Sequence, residues 1–125
     1  MTMTRINCGI SPSELSNKHL CAEHREIKRI PNCVAKGRFD LTGQPPKFKL
    51  GTGHVKFFYD KCGYLKRRYE EIYSECVSRG LKVAYYGESW DDVPAEMMGD
   101  YEPTEEDCKI VRQRILDKLS QNGIE

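Results

Sequence analysis

The chain has 125 residues, enough for one domain with a hydrophobic core and too few for two independent ones, so a single domain over residues 1–125 is expected. No apolar run approaches the roughly 18 to 20 residues that span a bilayer, and the N-terminus lacks the apolar stretch of a signal peptide; a soluble, monomeric, cytoplasmic protein is expected. The net charge of +1 hides an asymmetry, because residues 1–82 hold 16 Lys and Arg against 8 Asp and Glu, whereas residues 88–107 hold nine acids and no Lys or Arg. Such a split suits a protein with one basic and one acidic face, although a mixed solubilising surface gives the same count.

The first predicted helix follows "ISPSEL". Ser11 is a cap candidate, Pro12 suits a first turn, and Glu14 stands three residues after Ser11 as a capping box requires. It is expected to run to about Arg29 and stop before Pro31. Residues 31–53 are rich in Gly and Pro and read as loop. A long second helix covers "GHVKFFYDKCGYLKRRYEEIYSECVSRG", where Phe58, Cys62, Leu65, Tyr69, Ile72 and Cys76 recur at alternating steps of four and three. Gly80 stands where a C-terminal glycine cap belongs, and Gly63 marks a bend or a close helix contact. Residues 81–103 read as loop, with a short extended piece at 82–86 and a turn near 94–98. The third helix begins after Thr104, an N-cap with Asp107 three residues on, and carries an apolar stripe through Ile110, Ile115 or Leu116, and Leu119. The expected fold is all-α, with three main helices around one core and long loops.

Six cysteines and three histidines show no zinc spacing, and there is no C-x-x-C pair, so reduced, mostly buried thiols and no metal or cofactor are expected. On the first helix, His19, Ala22, Glu23, Glu26 and Arg29 share one broad face, with Arg25 at its edge. That face is too polar for core, and from pattern alone a solvated surface is the simpler reading. "GTGH" at residues 51–54 is a weak anion-binding signal, equally a linker before a helix. Lys66, Arg67 and Arg68, and the loop residues Lys36, Arg38, Lys47 and Lys49 interleaved with Phe39 and Phe48, suit phosphate contact and base stacking. A solvated charge run is again the commoner origin of such a pattern.

Specific strings then accumulate in order: "TRIN", "SEL" followed by "HL", "AE" and "RE", "LGTGHVKFFYDK", "EC" and "RG", "GDY", and a final "R…K". Together they resemble the pyrimidine-dimer DNA glycosylases of T-even phages, the endonuclease V family, over roughly Thr4 to Leu119. The resemblance implies a compact helical fold and a DNA-repair enzyme. Such an enzyme excises ultraviolet-induced cyclobutane pyrimidine dimers from duplex DNA and cleaves the strand as an AP lyase, with no cofactor. By match of "TRIN" the nucleophile is the α-amino group of Thr4; by match of "RE" the catalytic carboxylate is Glu26. Arg5, His19, Arg25, Arg29, Arg114 and Lys118 match the family's DNA-contacting residues. If the gene is phage-borne, the host-cell cytoplasm is its place.

The chemistry fits these residue types. Strand cleavage needs an amine that attacks deoxyribose C1′ and forms a Schiff base. An α-amino group, with pKa about 7.7–8.0 against about 10.4 for lysine, is far more available at neutral pH. The opening "MTMTRIN" repeats Met-Thr, and the matching start is Met3-Thr4, so initiation at Met3 or trimming of residues 1–3 is expected to expose Thr4. The family's aromatic, basic C-terminal tail has no counterpart after Leu119, which bears on lesion specificity. His24 stands where the T-even enzymes carry an aromatic residue. A non-catalytic DNA-binding protein on the same fold, or a glycosylase for another modified base, remain open alternatives at this level.

Overall fold

A computed structural model describes residues 5–121, with side chains through residue 118. Five α-helices follow one another: α1 (Asn17–Glu26), α2 (Arg29–Ala35), α3 (His54–Phe58), α4 (Cys62–Ser78) and α5 (Glu105–Gln121). Three 3-10 turns, Pro12–Glu14, Gly87–Trp90 and Ala95–Met97, punctuate the connections. Among the described residues there is no strand, only an isolated antiparallel bridge between Lys61 and Met98. The fold is all-α, as expected, but each of the first two predicted helices is divided.

The first division has two causes. Ser11 caps only the turn Pro12–Glu14, and Leu15 then adopts extended backbone (φ −84°, ψ 144°) that carries its side chain into the core. The regular helix restarts at Ser16, whose hydroxyl accepts the His19 N–H at 3.2 Å. Pro31 does not stop the chain either. It lies in the first turn of α2, where its missing N–H has no intrahelical partner to lose.

The second division lies at 59–61, where residues 98–99 strap across the chain. The Gly99 N–H donates to the Asp60 carbonyl and the Tyr64 N–H to the Gly99 carbonyl, each at 3.1 Å. Gly63 permits this approach: a Cβ there would stand 2.5 Å from the Met98 carbonyl oxygen. The glycine therefore serves a close contact with the 98–99 strap. At the far end of α4, Gly80 takes a left-handed conformation (φ 77°), and the Leu81 N–H closes onto the Cys76 carbonyl at 2.9 Å.

Helix α5 begins as expected. The Asp107 N–H donates to the Thr104 hydroxyl at 3.1 Å, while the Thr104 N–H donates to the Asp107 carboxylate at 3.0 Å. The expected extended piece at 82–86 is irregular coil, because its backbone turns to side chains: the Tyr86 N–H donates to the Tyr69 hydroxyl at 2.5 Å. The core gathers Leu20 from the first helix and Ile27 just past its end, Phe57 and Phe58 from the third, Leu65, Tyr69 and Ile72 from the fourth, and Val111 from the fifth. It also takes in Ile6, Cys8 and Ile10 from the irregular N-terminal segment, and that placement builds the candidate site.

Candidate active site

Residues 5–10 have no regular structure, yet residues 6, 7, 8 and 10 are buried. Buried irregular backbone needs partners for its polar groups, and here they come from four side chains on three helices. The Ile6 N–H donates to His54 Nε2 at 2.9 Å. The Asn7 N–H donates to Glu23 Oε2 at 3.2 Å, and the Asn7 amide Nδ2 to Glu23 Oε1 at 2.7 Å. The Gly9 N–H donates to the Tyr64 hydroxyl at 3.3 Å. The Ile10 carbonyl accepts from Arg68 Nη1 at 2.8 Å.

The centre of this clamp is an ion pair between Glu23 on α1 and Arg68 on α4. Arg68 engages both carboxylate oxygens, through Nε and Nη2, and the two side chains are 0% and 3% exposed. Burial alone would pull the guanidinium's pKa down, but the charge and hydrogen bonds of Glu23 overcome it and the pKa is raised. His54 is neutral, for a different reason. Its Nδ1 lies 2.8 Å from the Lys49 carbonyl and donates to it, so Nε2 is left to accept from Ile6. Burial pushes its pKa down, and the charges of Arg114 and Arg5 add to the effect.

Around this clamp stand most of the residues singled out from sequence. Glu26 occupies the last turn of α1, one turn beyond Glu23; it is 7% exposed, with the Arg25 guanidinium 3.9 Å from its carboxylate. The helix face that reads from sequence as solvated thus holds two buried carboxylates. Arg114, half-buried on α5, donates to Asn7 Oδ1. Its pKa is lowered by burial and by Arg5. His19, also half-buried, is lowered by burial and by Arg114, Lys18, Lys118 and Arg5. Arg5, His19, Arg114 and Lys118 therefore form one electropositive neighbourhood from three separate stretches of chain. Arg25 and Arg29 flank Lys28 at the junction of α1 and α2, and their charges, after burial, lower the Lys28 pKa. Thr4 lies outside the described residues.

Other candidate contacts are not assembled. Lys66, Arg67 and Arg68, whose pattern suits phosphate contact but is more commonly a solvated charge run, each hold a carboxylate: Glu70 at 3.0 Å, Asp100 at 2.5 Å, and Glu23 in the core. Phe48 is buried, edge-on to Phe57 and Phe58, and Phe39 packs against Tyr59, so neither is a free stacking platform. The 51–54 turn serves to aim His54 inward, with Gly53 left-handed at φ 93°. His24 is 3% exposed, and its ring lies among those of Tyr69, Tyr73 and Tyr86, a flat ring in an aromatic setting. All six cysteines are free, and burial pushes the Cys8 and Cys62 thiols up to about 12, so neither is a nucleophile. Among the described residues, no cluster of three or more His, Cys, Asp or Glu side chains is placed to hold a metal ion.

Sequence reading missed the Glu23–Arg68 pair, although a signal existed. Arg68 sits three residues from Leu65 and four from Ile72, on the apolar face of α4; Glu23 sits three from Leu20 and four from Ile27, on the apolar face of α1. Opposite charges on two inward faces must find each other or remain unpaired in the core. Asn7 and His54 had no such signal, since Asn7 meets Glu23 and Arg114, and His54 meets the Ile6 N–H, across long stretches of sequence.

One comparison with known families bears on this arrangement. The family model described as pyrimidine dimer DNA glycosylase matches residues 3–86, two thirds of the chain. The match includes Asn7, Glu23, Glu26, His54 and Arg68, and it begins at Met3.

Proposed function

Because the chain belongs to the pyrimidine dimer DNA glycosylase family, we propose that it excises cyclobutane pyrimidine dimers from duplex DNA through an α-amino Schiff base at Thr4 and then cleaves the strand as an AP lyase. The observation that carries this reading is the buried clamp on residues 6–10. It anchors the N-terminal segment to the same helix that carries Glu26.

The amine of Thr4, exposed by initiation at Met3 or by trimming, attacks C1′ of the damaged nucleotide. The glycosidic bond breaks, its electron pair leaves with the base, and the attacking nitrogen gives up a proton. Ring opening yields an imine between the nitrogen and C1′. Loss of a C2′ proton then expels the 3′ phosphate and breaks the strand. Glu26 serves as the carboxylate that moves protons and stabilises positive charge developing on the sugar. Arg5, His19, Arg25, Arg29, Arg114 and Lys118 form the face that meets the backbone of a duplex already weakened at the lesion.

The test is borohydride trapping on abasic and thymine-dimer duplexes, with protein starting at Thr4 and protein starting at Met1. Covalent capture of the first form alone is expected. Capture of neither, with duplex binding intact in both, would leave a DNA-binding protein on a glycosylase fold.

A further inference from the structure

The chemistry above uses none of the six thiols, and two of them face each other. Helix α1 packs against α4, and contacts at two levels fix how they meet. At one level Arg79 Nη1, just past the end of α4, donates to Asn17 Oδ1 at 2.8 Å. Two turns further along α1, His24 Nε2 lies 3.2 Å from the Tyr69 hydroxyl, and the His24 ring stacks at 6.2 Å on that of Tyr73. Asn17, Cys21 and His24 are spaced by four and three, and Tyr73, Cys76 and Arg79 by three and three, so each trio shares one helix face. Cys21 and Cys76 therefore stand opposite each other between the two levels, and their thiols hydrogen-bond across the seam.

Other thiols are differently engaged. The Tyr64 hydroxyl donates to Cys8 Sγ at 3.6 Å, and the Cys62 thiol donates to the Tyr59 carbonyl at 3.5 Å. Cys108 is turned against the backbone of Gly9, where a Cβ would stand 2.6 Å from its sulfur. Cys76 is 0% exposed and Cys21 is half-buried, so an oxidant from solvent reaches Cys21 first. Burial, and after it the Cys21 thiol, raise the Cys76 pKa, so Cys76 stays protonated and inert until an electrophilic sulfur stands beside it. We infer that Cys21 and Cys76 are a redox-responsive staple, converted by hydrogen peroxide into one disulfide that locks α1 to α4. Cys21 gives up its proton and its sulfur attacks the peroxide O–O bond; a sulfenic acid forms, and the leaving hydroxide takes up that proton as water. The Cys76 sulfur then attacks the Cys21 sulfur. The S–O bond breaks, and the hydroxyl leaves with the Cys76 proton as a second water. Two thiols are oxidised to a disulfide and the peroxide is reduced to water. The bridge ties the helix of Glu23 and Glu26 to the helix of Arg68, and a dithiol reductant reverses it.

The test treats the full 125-residue chain with a small molar excess of hydrogen peroxide, then alkylates and digests it for mass spectrometry. The expected product is a single intramolecular disulfide between the Cys21 and Cys76 peptides, with Cys8, Cys33, Cys62 and Cys108 alkylated. Because the bridge closes residues 21–76 into a loop in the unfolded chain, Tm should rise by roughly 10 °C, and dithiothreitol should return it to the untreated value. Cys21→Ser, at the half-buried thiol, should fold as the parent does and show neither the bridge nor the rise. Cys76→Ala should read the same from the buried side, and Cys33→Ser should keep both bridge and rise. Where Cys76→Ala fails to fold, Cys21→Ser alone decides. Four results would overturn the staple: no change at either thiol, Cys21 carried to sulfinic acid beside a reduced Cys76, a bridge between two chains, or a bridge from Cys8 to Cys108. A Cys21–Cys76 bridge that leaves Tm unchanged would refute the lock as well.

Discussion

Two irregular segments of this protein have opposite fates. Residues 6–10 and residues 36–53 are both without helix or strand, yet the first is almost wholly buried and the second mostly exposed, with Phe48 as its buried anchor. The difference lies in who satisfies the backbone. In the N-terminal segment, His54, Glu23, Tyr64 and Arg68 reach in to take the N–H and C=O groups. In the longer loop, the turns bond locally, as where the Gln44 N–H meets the Leu41 carbonyl at 3.0 Å, and water serves the exposed remainder. Burial of coil thus follows from charged and polar groups held on the inner faces of helices, and those groups are where the candidate chemistry gathers.

The contrast breaks most severely at the ion pair. Glu23→Ala leaves Arg68 as a buried charge without a counterion and strips Asn7 of its acceptors; a loss of about 3–5 kcal/mol is expected in urea unfolding. Arg68→Ala should cost about as much, and the double variant less than the sum of the two. Phe48→Ala, which removes the one deep anchor of the exposed loop, should cost about 3–5 kcal/mol through cavity formation, with no change in the exchange of the Asn7 amide.

His54→Ala comes next. It leaves the Ile6 N–H buried without its acceptor, and about 1–3 kcal/mol should be lost. The pH response has a definite sign. His54 has a folded pKa below its ordinary value of 6.5, so the unfolded chain binds the extra proton first. Its contribution is complete above pH 6.5 and is lost as pH falls below that toward the folded pKa. Melting temperature followed from pH 7.5 to 5 should fall less steeply in His54→Gln, which does not titrate. At the small end, Lys47→Ala or Arg38→Ala on the exposed loop should lie within about 0.5 kcal/mol of the parent.

The helical segments were largely legible in the sequence because periodicity and caps are local signals. Thr104 with Asp107, and Gly80 after α4, behave as their neighbours in sequence require. The breaks were not legible at 15–16 or 59–61, since they depend on the burial of Leu15 and on the strap at 98–99. Of the candidate site, the string "RE" singled out Glu26 by resemblance, and "TRIN" pointed to the N-terminus. The wheel of α1 nonetheless made Glu23 look like a solvated charge, because a helix wheel carries no information about what lies opposite. The basic run at 66–68 hid its pairing for the same reason: the partners of Arg67 and Arg68, Asp100 and Glu23, are 33 and 45 residues away.

By itself, then, the amino-acid order determined most of the helical stretches, though not that α2 runs on to Ala35 through residues that read as loop, together with which residues belong to the recurring family strings and that opposite charges lie on two inward faces. Only the tertiary structure decided that these charges meet, that the meeting point grips Asn7, and that Arg114 reaches the same amide from the last helix. The physical reason is range. Helix propensity and capping act over three or four residues and are written in spacing, whereas the desolvation that forces buried polar groups into pairs acts between elements and depends on how they pack.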